Sequence, residues 1–269
     1  MIEYSAEIVK RLKILRKLDF PPAGPNWVRF IFDDVRPTAK AILSFAKGQP
    51  AFGYQPGYRA IKDRLELGIG LDAAIKVAAS KGAPAGRVQN KQLVEAFFDY
   101  DETRRYSSSN PIEFEKEFFR VSRDVLVPVA PLSIIREKGK FVPLFVCGWA
   151  NNPLRLLQRR LLMTVYEDAF FSLTDYQASP GEVLFFPQSE ARKQEEANEN
   201  CREIELWRRG DYDLLSKAEL SDCVEIFALA REQARSILQS EIDELRNRMK
   251  AENAVDEVGP SLEDLFHKK

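Results

Sequence analysis

The 269-residue chain is 45% hydrophobic, enough for a sizeable core, and nearly balanced in charge, with 40 Lys and Arg against 41 Asp and Glu. That balance removes any global electrostatic case for nucleic acid or an anionic membrane and leaves only a local patch to make one. The single histidine, His267, sits close to the end, and the three cysteines, Cys147, Cys201 and Cys223, lie far apart with no CxxC pair, which argues against His-based triads, zinc sites and disulfide frameworks and for reduced thiols in a cytoplasmic protein.

The first element is an amphipathic helix over residues 5–18. Ile8, Leu12, Leu15 and Leu18 form its apolar stripe, and Lys10, Arg11, Lys13, Arg16 and Lys17 its basic face. Its charges interrupt the apolar pattern, unlike a secretory signal, and no apolar run in the chain approaches the roughly 20 residues that cross a bilayer. A proline-rich break at 20–26 leads to an expected strand at 27–32 and a short helix at 36–47. In the loop 48–57 and just after it, Phe52, Tyr54 and Tyr58 either stack on a ligand or fold back onto the core. Residues 58–80 read as helical, with Gly68-Ile69-Gly70 as a break. That triplet lacks the preceding strand and third glycine of a dinucleotide fingerprint, and 81–87 lacks the GK[ST] ending of a phosphate-binding loop. Another helix is expected at 89–100, with Leu93, Val94, Phe97 and Phe98 inward. Residues 99–110 read as a solvated loop, in which Asp99, Asp101 and Glu102 lack the spacing and glycine of a calcium loop.

Asn110 caps an expected helix over 111–122, which sets Phe114, Phe118 and Val121 on one face and Glu113 beside Glu117 at i, i+4. Residues 125–129, with Pro128, predict an edge strand. The runs 132–136 and 141–146 flank Glu137-Lys138-Gly139-Lys140 and predict a hairpin; the consecutive apolar positions of the second run predict burial on both faces. After Asn151, Asn152 and Pro153, apolar residues recur at helical spacing from Leu154 to about Tyr176, and 183–186 reads as a buried strand. Strand, helix and strand of this length predict a parallel βαβ unit. Residues 188–200 are highly charged, and 202–208 alternate as a last strand. Ser216-Lys217-Ala218-Glu219 is a capping box. The helix it opens keeps a seam from Val224 through Phe227, Ala230, Ala234 and Ile242 to Met249, long enough to pack along the domain or against a partner helix. The chain therefore reads as a mixed α+β protein: a mainly helical region over 1–110, an α/β core over 111–215 built on a central mixed sheet flanked by helices, a long C-terminal helix over 216–250, and a tail over 251–269. In the tail, Leu262, Leu265 and Phe266 alternate with Glu263 and Asp264, an acidic-apolar peptide of the kind that docks into apolar grooves of a protein partner.

The order helix 111–122, strand 125–129, hairpin 132–146, helix 153–176, strand 183–187 resembles the core of the PD-(D/E)xK nuclease-like fold. The resemblance covers residues 111–188 and rests on element order, with Pro131-Leu132-Ser133 standing where the family has Pro-Asp and Phe145-Val146-Cys147-Gly148-Trp149 where it has Glu-x-Lys. The resemblance implies metal-ion chemistry on carboxylates, yet neither segment carries an acid or a lysine, and only Glu113 or Glu117 stands where the family's helix acid would. It therefore implies a degenerate core that serves protein binding or assembly, with no cofactor, and with the C-terminal helix and tail meeting a protein partner or a second copy. Two alternatives stay open. A metal-dependent nuclease would draw its carboxylates from displaced positions such as Glu113, Glu117, Asp124 and Glu137, and would need Mg²⁺. A nucleic-acid-binding regulator would use Arg155, Arg159 and Arg160, on the helix after the hairpin, as phosphate contacts.

Overall fold

The computed structural model describes residues 6–48, 50–80, 82–107, 111–189 and 202–257. They form a mixed α+β fold with eight helices and two sheets, 55% helical and 14% strand. Helices α1 (Ala6–Lys17), α2 (Gly24–Val28), α3 (Val35–Lys47), α4 (Gln55–Leu67), α5 (Leu71–Ser80) and α6 (Arg87–Arg104) precede any strand. Local chemistry sets several of these ends. The Asp34 carboxylate accepts from the Arg36 N–H at 3.2 Å and caps α3. Gly68, at φ 70°, closes α4 in the left-handed conformation that its missing Cβ permits, so the expected break in 58–80 is real.

Two expected elements are replaced. Residues 27–32 form no strand: Pro25 starts the short helix α2, and Phe30 and Ile31 turn back to donate to the carbonyls of Trp27 and Val28. Trp27, Val28, Phe30 and Ile31 are all buried while Arg29 is exposed, and a short, mostly apolar run does not distinguish a strand from a buried turn. Nor is 111–122 a helix. Residues 111–116 are irregular, and β1 (Glu117–Arg120) pairs antiparallel with β2 (Leu126–Val129), Glu117 opposite Val129 and Arg120 opposite Leu126. Exposed Phe118 beside buried Phe119 shows the period of two that the i, i+4 spacing of Phe114 and Phe118 had obscured. The loop expected from residue 99 also begins later, because α6 continues to Arg104.

The main sheet has the order β3 (Ser133–Glu137), β4 (Lys140–Cys147), β5 (Glu182–Phe185), β6 (Glu205–Arg208). Lys138 and Gly139, at φ 49° and 78°, make the two-residue turn between β3 and β4. β4 and β5 are parallel, as expected, and the other pairs antiparallel. The crossover is α7 (Leu156–Tyr166), running on into a π turn over Glu167–Phe171. Successive β4 residues serve opposite cores. Leu144 packs with Leu93, Val94 and Phe97 under α4–α6, whereas Phe145 packs with Trp27, Tyr166 and Phe170 on the α2, α7 side. The N-terminal helices thus cover both faces of the sheet.

Ser216 and Glu219 exchange the two hydrogen bonds of the capping box, at 3.2 and 2.7 Å, and open α8 (Lys217–Glu257). Its buried seam, Cys223, Phe227, Ala230, Ala234, Leu238 and Ile242, lies along α3 and α1. The alanines let those helices approach closely, and Glu241 binds both Arg11 and Lys47. To Ile242 the seam is therefore filled by the chain itself. Among the described residues no helix is long and apolar enough to cross a membrane.

Candidate functional site

Glu113 and Glu117 line a cleft of about 750 Å³, together with Glu66, Glu115, Asp175 and Lys62. The cleft is acidic. Burial first, then the charges of Asp175 and Glu117, raises the Tyr176 hydroxyl above its ordinary pKa. Asp124 lies in the turn of the β1–β2 hairpin, whereas Glu117 starts β1 at the other end. Three strand steps separate those ends by about 10 Å. Glu137 is held in another cluster, where Arg104 binds it at 2.8 and 3.0 Å and binds Glu182 at 3.0 Å; Tyr106 donates its hydroxyl to Glu182. Asp101, expected in a solvated loop, is buried, paired to Arg64 at 2.8 Å and accepting from the Tyr106 N–H. Among the described residues no three Asp, Glu, His or Cys side chains are grouped to hold a metal ion.

The groups around the end of β4 are structural. Tyr58 accepts a hydrogen bond from the Gly148 N–H at 2.9 Å, and Tyr54 one from Arg202 at 3.0 Å. These loop aromatics thus fold back onto the sheet. Burial pushes the Cys147 thiol up to about 12, which leaves no thiolate nucleophile at neutral pH.

The three arginines chosen from the sequence divide. Arg159 pairs with Glu205 at 2.9 Å, donates to Tyr212 and lies over the Trp207 ring. Arg160 pairs with Glu219 at 2.9 Å and donates to the carbonyls of Asp213 and Leu214. Both guanidiniums are occupied inside the fold. Arg155 forms no ion pair among the described residues. Its guanidinium lies 5.3 Å from the centre of the Phe32 ring.

Arg155 forms one wall of a groove of about 390 Å³ between α3 and the start of α7. Phe30, Phe32, Phe45, Pro153 and Arg29 supply much of the rest. Phe45 is 45% exposed and packs on Phe30 with ring centres 4.8 Å apart. Arg29, also exposed and without an ion pair among the described residues, lies 5.0 Å from the Trp149 ring. No carboxylate lines the groove. Its geometry depends on buried Gln158. The amide oxygen accepts from the Arg155 N–H at 2.9 Å, and the amide nitrogen donates to the carbonyls of Arg29 and Ile31 at 3.1 and 2.9 Å. One side chain thus ties together the backbones that carry both arginines. Sequence reading missed Arg29, Phe45 and Gln158, because they come from three separate elements and no local pattern joins them. Leu262, Leu265 and Phe266 lie outside the described residues. Comparison with protein-family models, curated proteins and solved structures gives no match.

Proposed function

We propose that the chain is a non-catalytic binding module that takes an acidic, apolar segment of a protein partner in the groove between α3 and α7. The carrying observation is the pair Arg29 and Arg155, free of ion pairs among the described residues, set by Gln158 beside exposed Phe45 and half-buried Phe32 with no carboxylate in the lining. An exposed ion pair contributes only about 0–1 kcal/mol, whereas burying a Leu or Phe side chain contributes about 1.5–3 kcal/mol. The phenylalanines therefore supply most of the affinity, and the arginines select acidic over basic segments. A degenerate nuclease-like core belongs to the same reading. Of the order that carried the resemblance, β2, β3, β4, α7 and β5 follow one another while residues 111–122 form no helix, and positions 132, 133 and 145–149 hold neither acid nor lysine.

Single-stranded nucleic acid also suits aromatic rings beside arginines, but it needs a track of several phosphate contacts. Arg159 and Arg160, which would extend such a track, are bound to Glu205 and Glu219. The test is an array of 12-residue peptides with Asp/Glu and Leu/Phe at varied spacing, beside a 20-nucleotide oligo-dT. Acidic-apolar peptides are expected to bind, and Arg29→Glu with Arg155→Glu to weaken them about tenfold or more. Equal binding to both proteins, or binding of the oligonucleotide alone, overturns the assignment.

A further inference from the structure

We infer that the segment seated in this groove is the chain's own residues 261–266, supplied by a second copy. The inference rests on the groove reading above and names its occupant. Ser261-Leu262-Glu263-Asp264-Leu265-Phe266 holds three large apolar side chains and two adjacent carboxylates. The groove offers phenylalanine walls and two guanidiniums. Number and sign match on both counts, and the groove has no carboxylate of its own to repel the segment.

Chain length assigns the segment to a second copy. Lys47, at the end of α3, binds Glu241 of α8. The groove residues Ala41 and Phe45 precede Lys47 on α3, so the groove lies at the level of Glu241 or nearer the α3 start. α8 runs on from Glu241 to Glu257, about 24 Å along its axis at 1.5 Å per residue. Only five residues lead from Glu257 to Leu262, and fully extended they span at most about 17 Å. Leu262 cannot return to its own groove while α8 stays intact. The groove that takes the segment is therefore assigned to another molecule. Each copy has one segment and one groove, so two copies satisfy each other in a closed pair.

The experiment uses the full-length chain in sedimentation equilibrium from about 1 to 100 µM, a range set by the affinity of weak reciprocal contacts. The wild type is expected to dimerise with concentration. Leu262→Ala with Phe266→Ala, and separately Arg29→Glu with Arg155→Glu, are expected to weaken association about tenfold or more. Adding Glu263→Arg and Asp264→Arg to the arginine variant should restore it, an outcome that misfolding cannot produce. A wild type that is monomeric throughout, or variants that dimerise as well as the wild type, overturns the inference. So does a monomer that admits a fluorescein-labelled 258–269 peptide only after Phe266 is replaced, since its own segment would then fill the groove. The peptide array separates the two readings: array peptides that bind while 258–269 does not leave the groove standing without this occupant, and no binding at all removes both.

Discussion

Replacing Gln158 by Leu tests whether one buried amide sets the groove. Gln158 is 3% exposed, and its three hydrogen bonds engage the Arg155 N–H and the carbonyls of Arg29 and Ile31. Leucine keeps the bulk and removes every bond. Arg155 and Arg29 are exposed, so water reaches their backbone groups, but Ile31 is buried and its carbonyl loses its partner. Two bonds exchanged for water cost about 0.5–1.5 kcal/mol each, and one orphaned buried acceptor about 1–3 kcal/mol, so the loss is about 2–6 kcal/mol. Urea unfolding followed by the fluorescence of Trp27, Trp149 and Trp207 should show a midpoint about 1 M lower at an unchanged slope of about 3 kcal/mol/M. Peptide binding should weaken as well, because the two arginine-bearing segments are no longer fixed to each other. A midpoint shift under about 0.3 M would refute the reasoning, since a slope of about 3 kcal/mol/M then leaves less than about 1 kcal/mol for all three bonds. Stability lost with affinity intact would show that Gln158 supports the fold without setting the groove.

Arg104→Ala leaves Glu137 and Glu182 facing each other, Glu182 only 6% exposed; a loss of about 3 kcal/mol is expected by the same urea assay, and less in Arg104→Ala with Glu182→Gln. The hydrogen bond from Arg160, followed by bonds from Ser216, lowers Glu219 from 4.5 to about 2. A carboxyl depressed in the folded state stabilises above its unfolded pKa and loses that contribution as pH falls through the folded one. The stability difference between wild type and Glu219→Gln should therefore be present at pH 7 and disappear between about pH 4.5 and about 2 in thermal melts. Burial pushes the thiols of Cys147 and Cys223 up to about 12 and about 11. Peptide mapping after iodoacetamide at about pH 8 should find both unmodified in the folded protein and alkylated in urea, given that the thiolate is the reactive form.

Where periodicity coincides with punctuation, the sequence is a good guide. The hairpin around Lys138-Gly139, the parallel return to β5, the break at Gly68 and the capping box at Ser216 all rest on residues within a few positions of one another. Failures occur where one local pattern serves two structures. Glu113, Phe114, Glu117 and Phe118 satisfy helical spacing, but pairing with β2 draws 117–120 into a strand, a partner that spacing within 111–122 does not contain. The candidate site fails for a related reason. Arg155, Arg159 and Arg160 look equivalent along the chain. What separates them is Glu205, 46 residues beyond Arg159, and Glu219, 59 beyond Arg160.

A net charge of −1 suits a protein without charged partners only if the charges mix evenly. Here they do not. Five carboxylates and one lysine line the cleft of Glu113 and Glu117, while two arginines and no carboxylate line the groove at α7. Opposite charges on separate surfaces cancel in a composition but not at contact distance, because screening at physiological salt leaves a range of only about 8 Å. An approaching segment therefore responds to the groove alone, not to the chain's total. A substitution that changes net charge elsewhere, such as Lys10→Glu on α1, should leave groove affinity unchanged, whereas Ser44→Glu, beside Phe45 in the lining, should weaken an acidic peptide about as much as Arg155→Glu. Equal effects from the two would mean that the net field, and not the local arginine pair, governs recognition.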